Sequence, residues 1–271
     1  MPSTPPFSGP ARCLRRRWWW SPSPEEETKT WRSYCGQPKP DPRLAKVREE
    51  RMGWTAIAEA FLSLRDRGEG ALVAYLMGGD PDPSRSLEYL CAAAEGGADL
   101  LEVGIPFSDP VADGPTIQAA GLRALAAGTT TETVLEVVRN LKRERPVPLL
   151  LMGYYNPILR FGEGAFCTAA AECGVDGLIV PDLPPEEAVP LKDAAERAGL
   201  GLVFLATPET EGRRIELIVR HTKGFLYLVS RYGTTGERDR LSREIPRLVG
   251  RVRERGGRVP IAVGFGISRP E

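Results

Sequence analysis

Histidine is almost missing from this chain: His221 is the only one in 271 residues. The five cysteines, Cys13, Cys35, Cys91, Cys167 and Cys173, contain no Cys-x-x-Cys spacing. Together these scarcities argue against a structural metal site of the Cys/His kind. An odd cysteine count, with three thiols inside apolar or Ala-rich helical stretches, fits a reducing compartment in which they act as small core residues. His221 precedes Lys223-Gly224 with no Ser or Cys motif beside it, so it reads as the last turn of a helix. No run of 18 apolar residues occurs, which excludes a membrane-spanning helix. Net charge is lacking too, but the zero is composite. Residues 1–51 carry 11 Lys+Arg against 6 Asp+Glu, so they are net +5 and the remainder net −5.

Those first 51 residues hold nine of the 25 prolines and four of the five tryptophans, including Trp18, Trp19 and Trp20 directly after Arg15, Arg16 and Arg17. Proline at this density fixes φ and removes donors too often for a packed element, so the segment is expected to be a disordered extension. It lacks the apolar core of a secretory signal. Its early shortage of acid keeps a transit peptide, and hence a plastid location, open beside the cytoplasmic one. The Arg-Trp cluster reads as an appendage, with no nucleic-acid or membrane partner expected.

From Met52 the pattern becomes short apolar runs alternating with amphipathic stretches, the signature of βα units and a parallel sheet. Seven strands are expected, in ALVAYLM (71–77), DLLEVGI (99–105), PLLLMGY (148–154), VDGLIVPD (175–182), GLVFLAT (201–207), GFLYLVS (224–230) and PIAVGFG (260–266). Between them, Asp82-Pro83 supplies an N-cap and first helical position. Thr129 with Glu132 has capping-box spacing ahead of Val134, Val138 and Leu141. Ile57, Phe61 and Leu64 mark a helix before the first strand, placed to cover the bottom of a barrel. The whole fits a (β/α)8 TIM barrel over residues 52–271 that ends after strand seven, short of its last βα unit. An open doubly wound sheet competes, weakened because no Gly-x-Gly-x-x-Gly follows the first strand.

Barrel active sites lie at the C-terminal ends of the strands. The period of two in DLLEVGI puts Leu100, Glu102 and Gly104 on one side. If that side faces inward, Glu102 is a carboxylate in an apolar tube, suited to acid/base work unless a buried cation pairs with it. Asp113, eleven residues on in the loop IPFSDPVADGPTIQ, can fold over the mouth as a second carboxylate, or merely cap the helix that Pro115 begins. Asp109 before Pro110 has the same ambiguity, as a turn residue. The glycine-rich turns at 231–236 and 264–268 can cradle phosphate or be ordinary turn chemistry.

At this point the motifs resemble a family. LLEVGIPFSDPVADGPTIQ (Leu100 to Gln118), LMGYYNPI (Leu151 to Ile158), DLPPEE (Asp182 to Glu187), LVSRYGTTG (Leu228 to Gly236) and GFGIS (Gly264 to Ser268) are similar, in this order, to the tryptophan synthase alpha chain. The resemblance implies a lyase of tryptophan biosynthesis that splits indole-3-glycerol phosphate into indole and glyceraldehyde 3-phosphate. It implies Glu102 as the catalytic acid/base and Asp113 as the carboxylate at the indole N–H. Tyr75 and Tyr227 would line the substrate, and Thr235 would meet the aspartate from a lid over residues 231–240. Gly236 and Gly266 would touch the phosphate. Ser108, Asp109 and Pro110 would dock on a beta chain in an alpha2beta2 complex. No cofactor is implied for this chain, pyridoxal phosphate belonging to the beta partner. The family's eighth strand, with a Gly-Ser turn, would follow Glu271. Two further readings stand beside the lyase: a chain that only docks on its partner, and another phosphate-binding barrel enzyme.

Overall fold

The computed structural model describes residues 53–229, 244–256 and 258–264. The expected disordered extension therefore lies outside the described residues, as do Thr235, Gly236 and Gly266.

Helix α1 (Gly53–Asp66) leads into β1 (Val73–Met77), α2 (Pro83–Glu95), β2 (Leu100–Gly104), α3 (Pro115–Ala126), α4 (Thr131–Glu144) and β3 (Leu149–Met152). Then come α5 (Tyr155–Phe161), α6 (Glu163–Cys173), β4 (Gly177–Ile179), α7 (Val189–Arg197), β5 (Gly201–Val203) and β6 (Leu205–Ala206). The described part closes with α8 (Gly212–His221), β7 (Leu226–Val229), α9 (Ile245–Gly256) and β8 (Ile261–Gly264). Every strand pairing is parallel, in the orders β1-β2-β3-β4-β5 and β6-β7-β8. Each of the seven expected runs holds a strand. β2, β3 and β4 are buried throughout, as unbroken Val/Leu/Ile runs require when helices cover one face and a core the other.

The fifth run differs from expectation, because it is not one strand. Its first half pairs with β4 and its second with β7, and the break falls at Phe204. There the N–H leaves the ladder for the Thr222 hydroxyl at 3.1 Å, while the carbonyl accepts from Tyr227 at 3.2 Å. The chain thereby passes from one sheet to the next without an unpaired buried group. Among the described residues β1 pairs only with β2 and β8 only with β7, so both present an open edge.

Alternate residues Leu100, Leu150, Met152, Ile179, Val203 and Tyr227 face a common interior, which Ile57 of α1 enters from below. Gly53 donates to the Gly199 carbonyl at 2.7 Å, and a Cβ on Gly177 would stand 3.0 Å from Ile57 Cδ1. The first helix thus seals the N-terminal end of the strands, as its apolar spacing predicts.

Asp82 caps α2, accepting from Arg85 N–H at 3.0 Å with Pro83 in the first turn. The expected box of Thr129 and Glu132 is displaced by one residue: Thr130 is the N-cap of α4 and shares the box with Thr133. Thr129 is instead buried, its hydroxyl turned toward the Gly79 carbonyl. A Cβ on Gly79, at φ +80°, would collide with it. Close packing against the loop after β1 therefore decides which threonine caps. Val134, Val138 and Leu141 are fully buried, as their helical spacing requires. Cys167 and Cys173 are buried and Cys91 is half-buried, and burial pushes the Cys167 thiol up to about 12.

Candidate active site

Strand β2 positions the first carboxylate. Leu100, Glu102 and Gly104 alternate inward, and Glu102 stands beside Tyr75 in the β1–β2 register. Only 3% of Glu102 is exposed, and its carboxyl has no hydrogen bond or ion pair with the described residues. Desolvation therefore raises its pKa from 4.5 to about 8. With no compensating cation among the described residues, the neutral acid is the resting form near neutral pH.

The second carboxylate arrives on the loop of residues 105–114. Asp113 is 7% exposed. It does not cap α3, whose N-cap is Gly114 without any side-chain bond; the capping alternative is thus overturned. Its backbone fixes it instead, the N–H donating to Pro110 and the carbonyl accepting from Gln118 Nε2 at 2.9 Å. Burial raises its pKa, and the Tyr154 hydroxyl opposes that shift. The loop after β1 is tied down as well, Arg123 of α3 gripping both oxygens of Asp80 at 2.8 and 2.7 Å.

Tyr75 and Tyr227 both lie near Glu102, and burial pushes both phenols upward. Both lean toward glycines at strand ends. A Cβ on Gly104 would collide with the Tyr75 hydroxyl, and one on Gly264 with that of Tyr227. Glycine in a strand commonly marks such a close approach. Substituting Gly104→Ala should displace the Tyr75 ring and lower kcat/KM about tenfold with the fold retained. Steady-state kinetics alongside thermal unfolding checks this, and a loss of cooperative unfolding instead would contradict it.

Glu102, Asp113, Tyr75 and Tyr227 line one cavity of about 1070 Å³, which continues sideways between the edges of β1 and β8 past Val73, Ile261 and Val263. Ser108 and Asp109 are exposed beside Val111, itself 79% exposed, on the outer side of the same loop. Ser108 donates to the Asp109 carboxylate. His221 is the last residue of α8. Among the described residues no group of three or more His, Cys, Asp or Glu is placed to hold a metal ion, and no helix is long and apolar enough to cross a membrane.

Tyr154 was not singled out from the sequence. It is 5% exposed, its hydroxyl accepts the Ala112 N–H at 2.9 Å, and its ring lies 5.5 Å from that of Phe107. The parity of Leu150 and Met152 extends to it, a signal that strand periodicity carried one step past the strand would have caught.

A sequence profile described as "Tryptophan synthase alpha chain" matches residues 61–271. Similar proteins include the tryptophan synthase alpha chains of Methanosarcina barkeri, 50% identical over 79% of this chain and 80% of that one, and of Citrifermentans bemidjiense, 48% identical over 79% and 80%. Among solved structures, Mycobacterium tuberculosis tryptophan synthase superposes with a TM-score of 0.74 at 38% identity, covering 78% of this chain and 80% of that one. The tryptophan synthase a2b2 complex of Pyrococcus furiosus gives 0.69 at 43% identity, over 73% and 79%. With half of its residues shared over most of its length, and the fold shared as well, the chain belongs to the tryptophan synthase alpha chain family.

Proposed function

We propose that Glu102 and Asp113 divide the chemistry of the family's reaction, the cleavage of indole-3-glycerol phosphate to indole and glyceraldehyde 3-phosphate in tryptophan biosynthesis. The observation that carries this reading is a buried carboxyl with no cation beside it among the described residues, facing a cavity together with a second carboxylate. Glu102 in its neutral form gives a proton to indole C3, which places positive charge on the ring nitrogen. Ionised Asp113 accepts the indole N–H and stabilises that charge in a site where water cannot. Glu102, now ionised, takes the proton of the hydroxyl on the glycerol carbon bonded to C3. The O–H electrons form the aldehyde carbonyl and the C–C electrons return to the ring.

Tyr75 and Tyr227 flank the indole, and the family resemblance assigns Thr235 to Asp113 and Gly236 and Gly266 to the phosphate, all three lying outside the described residues. The alpha reaction itself uses no cofactor. Pyridoxal phosphate belongs to a beta chain, which docks at Ser108, Asp109 and Pro110 and receives the indole. We place the reaction in the cytoplasm, the thiol usage favouring a reducing compartment.

Asp113→Asn should lower kcat about 10²-fold with a smaller change in KM, because a neutral amide holds the N–H but not the developing charge. Indole release measured by fluorescence tests it, and equal losses in kcat and binding would count against the assignment. Among the described residues β1 and β8 each pair on one side only, and a second reading is a chain that docks on its partner without cleaving. Assaying indole release from the 271-residue chain with and without the beta chain separates the two.

A further inference from the structure

The loop of residues 105–114 does two jobs at once. Its outer side exposes Ser108, Asp109 and Val111, and its inner end delivers Asp113 to the cavity. A loop exposed at its middle needs an anchor to hold a carboxylate in one place. Tyr154, immediately after β3, supplies two contacts to it. The phenol oxygen accepts Ala112 N–H at 2.9 Å, one residue before Asp113, and the ring packs at 5.5 Å against Phe107 near the start of the loop. Because that oxygen is already an acceptor, its own proton is free to serve the neighbouring carboxylate.

We infer that Tyr154 is a positioning residue of the reaction, clamping the loop of residues 105–114 so that Asp113 is fixed against the substrate. The inference rests on the reading of Asp113 as the carboxylate at the indole N–H. The direction of the Asp113 titration agrees, since the Tyr154 hydroxyl works against the rise that burial imposes. Among the described residues the other titratable groups facing this pair are Tyr75 from β1, Glu102 from β2, Tyr227 from β7, and Asp182 beyond β4.

Tyr154→Phe keeps the ring against Phe107 and removes both hydroxyl contacts. It should lower kcat/KM for indole-3-glycerol phosphate about tenfold, more through kcat than KM, and move the acid limb of the pH profile upward as Asp113 becomes harder to ionise. In an Asp113→Asn background the same change should cost less than about twofold, because residues acting through one contact are not additive. Additive losses, or an unmoved acid limb, overturn the proposal and leave Tyr154 a packing residue. A carbon-13 NMR titration of the Asp113 carboxyl, assigned by its loss in Asp113→Asn, needs no turnover. A higher pKa in Tyr154→Phe supports the clamp, and an unchanged one refutes it. If the wild-type chain releases no indole while this titration shifts, the functional reading has failed and the clamp has not.

Discussion

Glu102→Gln should lower indole release from indole-3-glycerol phosphate on the order of 10³-fold while leaving substrate binding measurable. The amide keeps the shape of the carboxyl but can neither give a proton to C3 nor take one from the glycerol hydroxyl, as the proposed role requires. Normal turnover in that variant would sink the assignment. The wild-type rate should also decline as pH rises through about 8, where the buried acid loses the proton it must donate.

The same substitution carries a stability signature of opposite sign. The folded pKa of Glu102, about 8, lies above its ordinary value of 4.5. Below pH 4.5 both folded and unfolded chains hold the proton, and the residue has no pH-dependent effect. Between the two values the folded state keeps a proton that the unfolded state has released, so stability falls as pH rises. Above about 8 the full cost, a few kcal/mol, applies. Glu102→Gln should therefore leave Tm nearly unchanged at pH 4.5 and raise it by several degrees at pH 9. Thermal unfolding at the two pH values reads this directly, and equal shifts at both would show that Glu102 is not a desolvated acid.

The second large effect is expected at the opposite end of the barrel, where Asp176→Ala should destabilise the fold by about 3 kcal/mol. Asp176 precedes β4 and is held in place by its backbone, its N–H donating to Leu149 and its carbonyl accepting from Gly201. One carboxylate oxygen then accepts both Lys142 Nζ of α4 at 2.7 Å and the Leu149 N–H at 2.9 Å. With both ionic side chains nearly buried, removing the acid leaves a charge and a buried amide without their partner. Asp176→Asn should recover part of the loss by keeping an acceptor for Leu149. Activity per folded molecule should stay close to normal, since the N-terminal face of a parallel barrel serves stability rather than chemistry. Chemical denaturation gives the free energy, and a change below about 0.5 kcal/mol would contradict the account.

The sequence by itself determined the strand runs, the inward parity of Glu102, the covering role of the first helix and the family. Each depends on a local period or a contiguous motif: Val/Leu/Ile runs buried on both faces, the alternation through Leu100, Glu102 and Gly104, and the run from Glu102 to Asp113. Tertiary structure alone decided what those periods leave open. The break at Phe204 arises because its N–H finds Thr222, 18 residues away. Thr130 replaces Thr129 as the cap because Thr129 packs on Gly79. Asp113 serves the cavity rather than capping α3, and Tyr154 meets Ala112 from a residue 42 positions later. Backbone periodicity is a property of neighbours in the chain, whereas capping choice, ladder breaks and loop anchors depend on which distant groups are left to be satisfied once the strands have come together.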